Sequence, residues 1–137
     1  MDDIEILLND TMPFVEDLLK KYGEFFPVAS AIKIDGSVAL MGTYDGDEKP
    51  SADKLIADFK TAFKADRDDY RAITIFYDVS VVNPDTGQKG DAIAVFVETK
   101  NDDDAYTFYF SYSLISNEEL EFNNSWKNIE AKEIFNE

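Results

Sequence analysis

Three segments in the second half of the chain alternate between apolar and more polar or smaller side chains, and this alternation constrains the fold more than any other feature. It is clearest in residues 72–83 and recurs in residues 91–99 and 106–114. Turn-forming sequences at 84–89 and 101–104 separate the three segments. Because successive side chains of a strand point to opposite faces, a period of two predicts three β-strands in an antiparallel meander.

A helix is predicted before the meander, in residues 4–22, where apolar residues recur at steps of three and four. Pro13 lies inside this segment. A proline in a helix removes one N–H donor but is tolerated in a first turn. Two readings therefore stay open: one helix kinked at Pro13, or a second helix that begins with Thr11 as its N-cap.

A β-hairpin is predicted next, from strands at 28–34 and 38–44 joined by the Asp-Gly dipeptide at 35–36. A strict two-residue turn would oppose apolar to polar side chains. One extra residue in the turn instead places Ile34 opposite Val38, so the apolar match favours a bulged turn.

The remaining segments complete a prediction of one α+β domain spanning residues 1–137. Residues 45–50 are predicted as a loop, after which Ser51 caps a helix with an apolar stripe. We therefore expect the order α-β-β-α-β-β-β, with a single antiparallel sheet of about five strands and the helices packed on one face. The pattern weakens in residues 117–137, where 120–122 fits a short strand and 129–135 fits a helix or an extended edge.

The charge of the chain excludes several classes of function. Its 29 acidic and 13 basic residues give a net charge of −16. This charge repels nucleic-acid phosphates and anionic lipids and attracts basic proteins. We therefore expect no nucleic acid and no membrane as partner. The start of the chain has no basic, apolar signal segment and no membrane-length apolar run follows, so we expect a cytoplasmic protein.

Residue types that the chain lacks exclude further chemistry. There is no cysteine and no histidine, which removes thiolate nucleophiles, serine triads and most zinc sites. Neither a Walker sequence nor a dinucleotide fingerprint is present, and we expect no cofactor. The three consecutive acids 102–104 point in different directions, and 45–56 lacks the glycine and final glutamate of an EF-hand loop. We expect neither a metal site nor a catalytic residue.

The predicted meander register singles out one candidate binding surface. Matching the apolar faces places Val79 near Val95, and Val95 near Phe110. In this register, aromatic rings and two carboxylates lie together on the other face of the predicted sheet. Such a surface suits the docking of a partner protein. The candidate partner-binding residues are Phe76, Asp78, Phe96, Glu98 and Tyr109.

Several short elements resemble a family of small uncharacterised bacterial proteins across most of residues 14–112. The matching elements are 24–29 (EFFPVA), Asp35-Gly36, the capped helix, 75–79 (IFYDV), 84–87 and 91–93 with Glu98. The resemblance implies a bacterial cytoplasmic α+β domain. By analogy, some similar small acidic bacterial proteins act as immunity proteins against toxins.

The sequence therefore leads to a non-enzymatic acidic protein-binding domain, with an immunity-type inhibitor of a basic toxin as its sharpest form. Two alternatives stay open. One is a carboxylate-based or metal-dependent enzyme that uses Asp78 and Glu98. The other is a homodimer formed through the same sheet face or an outer strand edge.

Overall fold

The computed structural model describes residues 2–41, 51–116 and 119–136. Within them the chain forms one antiparallel sheet of six strands in the order β2-β1-β3-β4-β5-β6. The elements are α1 (Asp3–Tyr22), β1 (Val28–Lys33), β2 (Val38–Met41), α2 (Ala52–Ala65), β3 (Tyr70–Val82), β4 (Lys89–Thr99), β5 (Ala105–Ser116) and β6 (Glu119–Glu130). The α+β class is confirmed. The predicted loop 45–50 and the end of the predicted strand 38–44 lie outside the described residues.

The first helix runs without a break through Pro13, so the reading with a second helix starting near Thr11 is wrong. Asp2 caps its first turn by accepting a hydrogen bond from the N–H of Glu5 at 2.8 Å. Gly23 ends it in the left-handed conformation, with φ of 76°. Pro13 is exposed, so the missing hydrogen bond lies on the solvent side of a helix that packing holds in place.

The two helices cover opposite faces of the sheet, which corrects the prediction that both lie on one face. Val15 and Leu19 of α1 pack in a cluster with Phe76. Phe63 of α2 packs in a cluster with Ile75. Ile75 and Phe76 are neighbours on β3 and point to opposite sides, yet both are fully buried. An apolar strand with two buried faces needs a cover on each of them.

The first hairpin has the predicted extra residue, but the turn lies one residue earlier than predicted. Ile32, not Ile34, is opposite Val38. The N–H of Lys33 donates to the carbonyl of Ser37 at 2.8 Å, which leaves a three-residue loop. Gly36 takes φ of 91° in that loop, as the bulged type of three-residue turn requires.

The predicted register of the meander is wrong. Val79 lies opposite Ala92 rather than Val95, and Val95 lies opposite Phe108 rather than Phe110. The cause is that the loop between β3 and β4 is shorter than predicted. It is closed by a 2.8 Å hydrogen bond from the N–H of Asn83 to the carbonyl oxygen of Gln88. Since Ala92 is three positions before Val95, and three is odd, the error exchanges the two faces of β4 relative to β3.

The C-terminal segment forms the sixth strand and then folds back over the sheet. Ile134 is fully buried in the same cluster as the side chains of α2. The carboxylate of Glu98, also fully buried, accepts hydrogen bonds from three consecutive backbone N–H groups, those of Glu133, Ile134 and Phe135, at 2.8 to 3.1 Å. Lys60 of α2 adds an ion pair with Glu133 at 2.7 Å. Glu98 therefore anchors the end of the chain.

Replacing Glu98 by glutamine should destabilise the protein by about 2–4 kcal/mol, because an amide nitrogen then faces backbone donors and the acceptor loses its charge. Urea unfolding followed by the fluorescence of Trp126 measures this change. The matched control is Glu121→Gln, an exposed position on β6. We expect the control to change stability by less than about 0.5 kcal/mol. Equal stability of the two variants would contradict the anchoring role of Glu98.

Candidate functional site

The five residues predicted to form one binding surface are divided between the two faces of the sheet. Phe76 and Asp78 share the face covered by α1, whereas Phe96, Glu98 and Tyr109 lie on the face covered by α2. Phe76, Phe96 and Glu98 are buried, so no partner can reach them in this fold. Asp78 and Tyr109 are partly exposed, but on opposite sides. The structure therefore does not bring this set together.

Tyr109 instead belongs to an aromatic row across the face covered by α2. Its ring stacks on Trp126 of β6 with 5.4 Å between the centroids and 15° between the planes. Tyr77 lies in the same row, on the far side of Ala94. Burial and, to a smaller extent, the nearby Tyr109 and Glu130 raise the pKa of Tyr77 to about 12. Because Tyr109 and Trp126 stack on each other, each already occupies one ring face of the other.

Asp78 lies beside a cavity of about 790 Å³ at one end of the sheet. The position of Asp78 follows from the different lengths of β1 and β3. The pairing of β1 with β3 ends where Val28 lies opposite Phe76. Asp78 is the next residue along the same face of β3 and is no longer flanked by β1. Residues 24–28, which lead into β1, line the cavity together with residues of α1.

The walls of the cavity are mostly apolar. Phe14, Leu18 and Tyr22 recur every four residues on α1, so they form one stripe beside the buried stripe of the helix. Phe26, from the segment after the helix, and Leu40 of the edge strand β2 also line the cavity. Tyr22 and Phe26 are 68% and 59% exposed, so two large aromatic side chains that line the cavity also face solvent.

The carboxylate of Asp78 accepts a hydrogen bond from a side chain of another strand. The hydroxyl of Tyr112, from β5, donates a hydrogen bond to Oδ1 of Asp78 at 2.7 Å. The ring of Tyr112 is itself buried in the cluster under α1, which fixes the position of the hydroxyl. Burial is the main cause that raises the pKa of Tyr112 well above its usual range, and this hydrogen bond and the charge of Asp78 add to it. Tyr112 therefore stays a neutral donor at physiological pH.

The electrostatic surroundings of Asp78 are acidic. Burial raises the pKa of Asp78, the hydrogen bond from Tyr112 lowers it, and the charges of Asp91 and Glu24 raise it again. Glu24 also lines the cavity, and none of the described residues that line it is basic. The described lining of the cavity therefore combines apolar walls with two carboxylates. Such a site complements an apolar ligand that carries a positive charge.

Sequence reasoning identified Asp78 but missed the residues around it. The stripe of Phe14, Leu18 and Tyr22 was visible as a second apolar row on a helix whose main row already fills the core. The Phe25-Phe26-Pro27 segment likewise placed two aromatic rings outside any regular element. The pairing of Tyr112 with Asp78 was not visible, because it depends on the register of the meander.

The described residues contain no group of three or more carboxylates placed to hold a metal ion. Neither described helix has the length and apolarity that a membrane crossing requires. Comparison with family models, with curated proteins and with solved structures found no match. The resemblance to small bacterial proteins therefore stays a prediction, and geometry and charge alone support a function.

Asp78→Asn should become more stable relative to wild type as the pH rises from about 3 to about 7. The folded protein binds the proton of Asp78 more tightly than the unfolded chain, because burial and acidic neighbours raise its pKa. Wild type therefore loses the stabilising contribution of that proton as the pH rises through the pKa of folded Asp78. The Asp78→Asn variant has no such contribution to lose, so its stability relative to wild type increases.

Urea unfolding of both proteins across this pH range measures the effect. Asp103→Asn, at an exposed position on the β4–β5 turn, is the matched control and should change stability by less than about 0.5 kcal/mol. A stability difference between Asp78→Asn and wild type that stays constant with pH would contradict the raised pKa.

Proposed function

We propose that the chain is a non-enzymatic, acidic protein-binding domain whose partner is a basic protein. The observation that carries this proposal is the apolar cavity bordered by Asp78 and Glu24 and by no described basic residue. Exposed aromatic rings supply contact area for a partner, and carboxylates select its charge. The net charge of −16 speeds the encounter with a basic surface and disfavours acidic ones.

An immunity-type inhibitor of a basic toxin is the sharpest form of this proposal. A toxin that acts on nucleic acid presents a basic surface to its substrate, and an acidic domain competes for that surface. The cavity would then receive part of the toxin beside its charged region. The cytoplasmic location and the bacterial origin expected from the sequence belong to the same proposal.

A carboxylate-based enzyme is a second candidate, favoured by the half-buried Asp78 with its raised pKa. Tyr112 already donates to this carboxylate, and Glu98, the other acid named for such a role, is buried and anchors the C-terminal segment. An acid–base pair of these two carboxylates is therefore not available. The geometry supports binding by Asp78 better than it supports proton transfer between two acids.

The binding proposal predicts salt-sensitive capture that depends on the cavity. Tagged protein is mixed with a bacterial lysate at low and high salt, captured proteins are identified, and the affinity of each is measured with purified components. We expect a basic protein whose affinity falls as salt rises, because exposed opposite charges are screened. Tyr22→Ala combined with Phe26→Ala should weaken its binding by at least about tenfold, the typical effect of removing aromatic anchors.

The matched control removes two equally exposed apolar side chains outside the cavity. Val82 and Ile129 are 63% and 66% exposed, close to the values for Tyr22 and Phe26. Val82→Ala combined with Ile129→Ala should bind as tightly as wild type. An affinity that does not respond to salt, or an equal loss in both double variants, would overturn the proposed function.

A further inference from the structure

Resting on the proposed binding function, we infer that Asp78 receives one arginine side chain of the basic partner, which enters the cavity between the exposed rings of Tyr22 and Phe26. The proposal names the chemistry of the contact: a guanidinium group carried on an apolar stem. It follows from the fixed position of the carboxylate, from the like charges beside it, and from the exposed aromatic rings that line the same cavity.

The carboxylate of Asp78 is preorganised for a cation. Its backbone lies in β3, paired with Ile93 of the central strand β4. The hydroxyl of Tyr112 holds Oδ1 at 2.7 Å, and the buried ring of Tyr112 cannot move without disturbing the core. A hydroxyl donor orients the carboxylate but leaves its negative charge in place. A cation that arrives therefore finds an acceptor already in position, which lowers the entropic cost of binding.

The described surroundings of Asp78 leave that charge uncompensated. Among the described residues, Asp91 and Glu24 act on it most strongly through their charge, and both carry the same sign as Asp78. A half-buried carboxylate beside two others gains more from a cation than an exposed carboxylate does, because the interaction is less screened. The ion pair would also lie against apolar walls, where water competes less for the hydrogen bonds.

The exposed rings of Tyr22 and Phe26 favour arginine over lysine. Tyr22 and Phe26 are 68% and 59% exposed and lie on the wall of the same cavity as Asp78. A guanidinium is planar and weakly hydrated, so it stacks on a ring while its edge donates to a carboxylate. An ammonium group is a compact and strongly hydrated charge, and it loses more hydration on entering an apolar cavity.

Small-molecule probes test this contact without the partner protein. Backbone amide NMR spectra of the full chain are recorded during titration with phenethylguanidinium, with phenethylammonium and with the uncharged phenethylurea. We expect phenethylguanidinium to shift the signals of residues that line the cavity and to bind at least about tenfold more tightly than phenethylurea, which has the same shape. Phenethylammonium should bind with intermediate affinity.

Three variants assign the contact to named side chains. Asp78→Asn should abolish the preference for phenethylguanidinium over phenethylurea. Asp103→Asn removes the same charge from an exposed position that does not line the cavity, and should retain the preference. Phe26→Leu should reduce the ratio of the affinity for phenethylguanidinium to the affinity for phenethylammonium. Equal binding of phenethylguanidinium and phenethylurea to wild type, or an undiminished preference in Asp78→Asn, would overturn the inference.

The two proposals fail in different ways. If a basic protein binds in a salt-sensitive manner but the probes show no charge preference in the cavity, the binding function stands and the arginine contact is wrong. If the probes show the preference but no basic protein is captured, Asp78 is a cation receptor and the protein-binding function is wrong.

Discussion

Burial of the β3–β4 pair on both of its faces is the constraint on which the rest of the structure depends. Every residue of β4 from Ala92 to Thr99 is buried. A strand with two buried faces needs a cover on each side, so α1 lies on one face while α2 and the C-terminal segment lie on the other. Glu98 points to the second side, and its carboxylate meets the backbone N–H groups of the segment that covers it.

The candidate site lies where this cover stops. The helix α1 ends at Gly23, and β1 begins at Val28, so the chain between them crosses one end of the sheet. Asp78 extends past the paired part of β1, where Tyr112 donates to its carboxylate and apolar side chains line the cavity beside it. The boundary between the covered and uncovered sheet therefore places a carboxylate beside exposed rings.

The sequence predicted the elements better than their arrangement. The strands of the meander and the helix capped by Ser51 were recognisable because their periodicities are strong and local. The register was not, because apolar side chains on both faces allow several matches of Val79 with β4, and only the closure of the loop at Asn83 decides among them. That error placed Phe76 and Phe96 on one surface. The sixth strand was anticipated only as a short segment at 120–122, since its exposed edge carries little apolar alternation.

The central claim is that a basic partner binds at the cavity beside Asp78. Hydrogen exchange of the protein, alone and in complex with a salt-sensitive basic partner, tests it most directly because exchange reports on the whole backbone. The account predicts new protection in residues 14–28, which form the aromatic wall, and in the segment of β3 around Asp78. Protection confined to the outer edge strand β6, with residues 14–28 unchanged, would contradict it.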